Sequence, residues 1–189
     1  MDRMNLPPKA ESVTRQGTPD GFSPPLAYEP QVLPGGYTRV LVSAPQERLQ
    51  ELHLCLIRAL EPPYRVLYRQ LTDRATGQLP KPRDWIAAEI KPARLEEALR
   101  QCAGLIYHDG RHQLWIRGIG PEQVVLEEIG TLFAYPDDPA YRDALDEAGV
   151  PMAKAPTMAE RDYVKVNFLA EGDAQERAFF QALGMTRWG

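Results

Sequence analysis

The chain predicts an α+β fold, with a ferredoxin-like βαββαβ core over about residues 37–109. A β-hairpin, further strands and two C-terminal helices extend that core. Three observations carry this expectation. Alternating, β-rich runs stand at 37–43, 64–71 and 84–90. Apolar residues at helical spacing follow the first and third of these runs. The resulting order is that of the split βαβ plan.

Residues 1–36 hold seven prolines and little periodic apolarity, so an extended or disordered arm is expected there. The single α+β globular domain then spans 37–189. YTRVLVS (37–43) is the first strand. Pro45 opens a helix whose Leu49, Leu52, His53, Leu56, Ile57 and Leu60 share one face, and Pro62-Pro63 ends it. YRVLYRQL (64–71) and DWIAAEI (84–90) are strands joined by a polar loop. Pro92 opens the second helix, with Leu95, Ala98, Leu99 and Cys102 inward and Gly104 at its end.

LIYH (105–108) and RHQLWIR (111–117) flank Asp109-Gly110, a pair suited to a type I′ turn, so a hairpin is expected. Residues 123–135 read as strand broken near Gly130. Asp138-Pro139 caps a third helix carrying Tyr141 and Leu145 inward. DYVKVNFL (162–169) reads as a strand, and a last helix is expected to start at a capping-box-like Asp173–Glu176.

The net charge of −4, from 22 basic and 26 acidic residues, argues against binding by phosphate neutralisation. No signal-peptide run or membrane-length apolar stretch occurs, which points to a cytoplasmic protein with no membrane association. Cys55 and Cys102 fall on buried helix faces, as small apolar core residues do in a reducing compartment. Two cysteines at that spacing do not build a zinc site, and no cofactor or metal is expected. In the expected hairpin His108 and His112 point to opposite sides of the ribbon, which separates them as ligands. His53 sits on the apolar stripe of the first helix.

These features predict a non-catalytic protein-interaction domain, an acidic neutralising (immunity-like) or adaptor protein. Its partner would be another protein with a basic surface, met by Glu127 and Glu128 and by the strand aromatics Tyr64, Tyr68 and Trp85. The first alternative is a small enzyme or ligand-binding domain, sited between sheet and C-terminal elements, using Tyr107, His112, Asp137 and Tyr141. The second is single-stranded nucleic acid stacked on the sheet, with Tyr37, Arg39, Tyr64, Arg65, Tyr68, Arg69 and Trp85 as the platform. No Lys/Arg-Gly-aromatic run supports that platform. Nothing in the sequence indicates an oligomeric state.

Overall fold

The computed structural model describes residues 6–166 and 169–189. The first half runs β1 (Ala10–Ser12), β2 (Ala27–Val32), β3 (Thr38–Ser43), α1 (Gln46–Arg58), β4 (Tyr64–Asp73), β5 (Gly77–Ile90) and α2 (Pro92–Gln101). There follow α3 (Ala103–His108), β6 (His112–Arg117), β7 (Gln123–Leu126), β8 (Leu132–Tyr135) and α4 (Pro139–Glu147). A 3₁₀ turn (Met158–Glu160), β9 (Tyr163–Lys165), α5 (Ala170–Leu183) and β10 (Thr186–Trp188) complete the chain. The fold is thus α+β, with a large antiparallel sheet and five helices among the described residues. No helix among them is long and apolar enough to cross a membrane.

The eight-stranded sheet has the order β10-β5-β4-β6-β7-β8-β3-β2, and β1 pairs with β9 in a separate ribbon. This is not a ferredoxin-like order. There the first strand of the core would pair with the third, whereas β3 lies between β8 and β2. The expected fourth strand, LIYH, is helix α3. Leu105, Ile106 and Tyr107 are consecutive and all buried, which a strand with one exposed face cannot achieve. A short apolar run does not distinguish strand from buried helix by periodicity, and tertiary packing chose helix.

Asp109-Gly110 is accordingly no hairpin turn. Gly110 is needed for close approach: a Cβ there would lie 2.5 Å from the Lys9 carbonyl oxygen and 3.0 Å from that of Glu128. The polar loop expected at 72–83 is instead a hairpin that lengthens β4 and β5. Asp73 Oδ1 accepts from the Ala75 and Thr76 amides at its tip. Pro80 and Pro82 sit where β5 has no outer neighbour, since β10 pairs only with residues 84–86.

Residues 123–135 break at Gly130 (φ +84°) into β7 and β8. Asp138 caps α4 as expected, accepting from the Ala140 amide at 2.8 Å. α5 begins at Ala170, ahead of the expected cap, which leaves Asp173 free to pair with arginines. The strand expected over 162–169 is observed at Tyr163–Lys165, and residues 167 and 168 lie outside the described residues.

The segment expected as an arm is extended, but it is built into both sheets. β2 forms one sheet edge, where Pro30 is tolerated, and β1 pairs with β9.

Alternation along the strands decides what each face carries. Val40, Val42, Val66, Tyr68, Leu114, Ile116, Val124, Leu126, Leu132 and Ala134 all point to one side. There they meet α1, α2, α3 and α5 in a continuous core. Among the described residues the reverse face is covered at one end only. Residues 151–158 fold over it, with Ala155 against Ala27, Leu41, Val125 and Phe133. Hydrogen bonds from Ser43 Oγ to the Pro156 carbonyl and from the Ala153 amide to the Tyr28 carbonyl hold that cover down.

Candidate functional site

Two features stand apart from the apolar core: a buried cluster of ionisable side chains, and a bare hollow on the sheet.

The buried cluster gathers where α3 ends, β6 begins and α5 starts. Lys9 is 1% exposed, and its Nζ donates to the carbonyls of Ile106 (2.9 Å) and Asp109 (2.7 Å). Burial drives its pKa down to about 7, against the raising influence of Asp109 and Glu128. Arg111 reaches Asp109 (2.8 Å), Asp173 (2.7 Å) and, more loosely, Glu176 (3.8 Å). Burial by itself would lower the Arg111 pKa, but hydrogen bonds and charge from Asp109 and Asp173 outweigh it. Gly172 makes room for this network, since a Cβ there would lie 2.6 Å from Arg111 Nη2. The Tyr68 hydroxyl donates to Glu176 Oε1 at 2.6 Å, and burial raises the Glu176 pKa.

His112 is fully buried, stacked 4.4 Å from the Tyr68 ring, and neither ring nitrogen has a partner among the described residues. Burial, then the charges of Lys9 and Arg111, push its pKa well below the usual histidine value. His53 shares a hydrogen bond of 3.0 Å with the Tyr107 hydroxyl, and burial takes its pKa to about 3.

The cluster therefore holds neutral imidazoles and compensated charges. Asp109, Arg111, His112 and Tyr68 line none of the four cavities described, whereas Lys9 borders one of them, together with Ser12, Phe22, Gln46 and Met158. Its geometry fastens the N-terminal segment and α5 onto the sheet. Among the described residues no group of three or more His, Cys, Asp or Glu side chains is placed to hold a metal ion.

The four residues expected of an enzyme are not brought together. Tyr107 and His112 belong to this cluster. Asp137 pairs with Arg142 (3.2 Å), and the Tyr141 hydroxyl donates to the Tyr135 carbonyl. No hydrogen bond or ion pair joins the first two to the second two among the described residues. The hairpin expected to separate His108 from His112 is absent. His108 ends α3, with Nδ1 2.8 Å from the Pro7 carbonyl oxygen, while His112 lies buried on β6.

Of the residues expected to meet a partner, two are buried and three are half-buried. Tyr64 and Tyr68 point into the helix-covered core, and Trp85 stacks on Phe180 at 4.6 Å. Glu127 is half-buried, and desolvation, with the charge of Glu128, pushes its pKa up to about 7. Glu128 accepts from Gln113 Nε2 at 2.7 Å. Of the platform named for nucleic acid, Arg39 lies over the Phe133 ring (3.9 Å), and Arg69 forks onto Asp84 with hydrogen bonds of 2.9 and 2.8 Å.

The bare end of the sheet carries the second feature. Leu67 on β4, Ile86 on β5, Trp115 on β6 and Trp188 on β10 line a hollow of 600 Å³, flanked by Arg65 and Arg117. Register brings them together: Leu67 lies opposite both Ile86 and Trp115, and Ile86 lies opposite Thr186. Trp188 is 62% exposed and Ile86 37%. The signal for this face is present in YRVLYRQL. Its two tyrosines and two arginines alternate, but which side the helices cover is not written in an alternating pattern. Lys9 carries no such signal, because it stands in the proline-rich segment.

The chain matches no family model, no curated protein and no solved structure.

Proposed function

We propose that the protein is a non-catalytic interaction domain that docks another protein on the bare end of its large sheet. The observation that carries this reading is the uncovered hollow of Leu67, Ile86, Trp115 and Trp188. An exposed apolar concavity with a polar rim is the form a protein docking surface takes. Two large tryptophans supply contact area at small entropic cost. The other end of the same face is sealed by residues 151–158, so the bare end stands out against a neighbouring surface that the chain itself covers. The ionisable groups that would serve catalysis are engaged in holding chain segments together. Two free cysteines suit a reducing compartment, and we place the protein in the cytoplasm as an adaptor or neutralising factor.

The test is site-specific photo-crosslinking in the full chain, in its own cell. A benzophenone side chain replaces Ala88, at the rim of the hollow, or Glu47, exposed on α1 in the opposite layer. A discrete adduct is expected from position 88 alone, with its yield falling about tenfold on Leu67→Asp, as disruption of a hot-spot residue produces. Equal adducts from both positions, or a yield indifferent to Leu67→Asp, rule the surface out.

A further inference from the structure

Arg65 and Arg117 face each other directly across β4 and β6, both exposed and both at one end of the hollow. Neither forms an ion pair among the described residues. Arg69, on the same face two residues on from Leu67, is neutralised by Asp84. Like charges directly opposite on paired strands are unfavourable, and an anion placed between Arg65 and Arg117 would relieve that repulsion. Arg117 is also held in place, its Nε donating to the Gly120 carbonyl (2.9 Å). The turn that follows is anchored in turn, because the Ile119 amide donates to the Glu61 carbonyl at 3.0 Å. A Cβ on Gly118 would lie 2.6 Å from that same oxygen. Two exposed guanidinium forks on directly paired residues, and so on one face of the sheet, suit a carboxylate placed between them.

We propose that the hollow takes an acidic, amphipathic polypeptide segment from the partner. One carboxylate lies between Arg65 and Arg117, and an aliphatic or aromatic side chain fills the space between Leu67, Ile86, Trp115 and Trp188. This rests on the reading of the bare face as a protein docking surface, and it replaces the basic partner expected from overall charge with an acidic one. The spacing defines the segment further. The Arg65–Arg117 pair and the Leu67–Trp115 pair are two positions apart along the strands, about 7 Å. That is the separation of alternate side chains in an extended chain, so the recognised pattern is acidic-x-apolar. Charge complementarity favours a polypeptide over a nucleic acid. A phosphate backbone repeats its charge at every nucleotide and needs a basic track, whereas here two arginines flank an aliphatic and aromatic hollow beside Asp84.

The experiment is selection from a displayed library of random 12-residue peptides against the folded full chain, with the same selection against Arg65→Glu/Arg117→Glu and against Leu67→Asp. An oligo-dT strand is assayed in parallel. Enrichment of acidic-x-apolar peptides is expected on the unsubstituted protein. Their affinity should fall about 100-fold on the double charge reversal, which removes two charge-assisted hydrogen-bonding partners together. All three substituted side chains are exposed or half-exposed, and thermal melting verifies the fold of each variant. Peptides that enrich without an acidic bias, yet fail to bind Leu67→Asp, overturn the acidic partner and leave the docking surface standing. Failure of any peptide to enrich, or enrichment indifferent to Leu67→Asp, overturns both. Oligo-dT binding tighter than any selected peptide, and weakened steeply by salt, overturns both in favour of nucleic acid.

Discussion

Lys9 Nζ lies 2.7 Å from the main-chain oxygen of Asp109, joining residues one hundred positions apart in a site closed to water. Around that hydrogen bond the chain crosses itself repeatedly. The Val166 amide donates to the Lys9 carbonyl (2.8 Å), and the Gly110 amide donates to the Val166 carbonyl (2.6 Å). The N-terminal segment is thus a strap, locked at one point by a buried base.

That lock makes stability depend on pH in a definite direction. Lys9 titrates near 7 in the folded chain and at 10.5 when released, so the unfolded state binds the extra proton between those values. The burial penalty is fully present below pH 7 and is relieved as pH rises from 7 to 10.5. The stability of the unsubstituted protein relative to Lys9→Met should therefore climb by a few kcal/mol over that window. Denaturant melts of both proteins at matched pH values measure it, since groups common to both cancel. A difference that is flat with pH refutes the buried, partly neutral lysine.

His112 offers a different prediction. Its two ring nitrogens lack partners among the described residues while its ring stacks on Tyr68. Replacing a buried, unsatisfied polar ring by an apolar ring of similar shape is close to neutral or stabilising. His112→Phe should keep the melting temperature or raise it, by up to about 1 kcal/mol of stability. A loss above about 2 kcal/mol, measured by chemical denaturation, would mean that the nitrogens are hydrogen-bonded in the folded protein.

Gly172 lies in helix α5, where alanine ordinarily gains about 1 kcal/mol over glycine. Here the new methyl would meet Arg111 Nη2 at 2.6 Å and Asp109 Oδ2 at 2.9 Å. Both atoms are fixed by the ion network, so neither gives way cheaply. Gly172→Ala is expected to destabilise by about 1–3 kcal/mol in spite of helix propensity. A stabilised variant would show that the network can shift.

Trp188 separates binding from folding. With 62% of it exposed, Trp188→Ala should change stability by no more than about 0.5 kcal/mol. The same substitution should abolish the crosslink from position 88. Loss of both the fold and the crosslink would reassign Trp188 to the core.

Some of this is legible along the chain and some is not. The split of YRVLYRQL into a tyrosine face and an arginine face is a consequence of strand pleating, and the structure keeps it. The helix faces of α1 and α2 and the Asp138 cap are equally readable. LIYH is not, because four apolar-rich residues suit a buried helix turn as well as a strand. The hollow escapes sequence reasoning for a related reason. Alternation identifies two candidate faces, and the aromatic content of the tyrosine face suggests the open one, although the helices cover it.

The sequence by itself determined the local periods, the helix starts at Pro92 and Pro139, and the partition of each strand into two faces. These depend on neighbours two to four residues away. Tertiary structure decided the strand order, the burial of Lys9, and which sheet face was left bare at one end. Each of those rests on packing between distant segments, as Lys9 with Asp109 or residues 151–158 over β2 and β3. The free energy of burying a charge or covering a face belongs to both partners of such an interaction, and no window of the chain contains both.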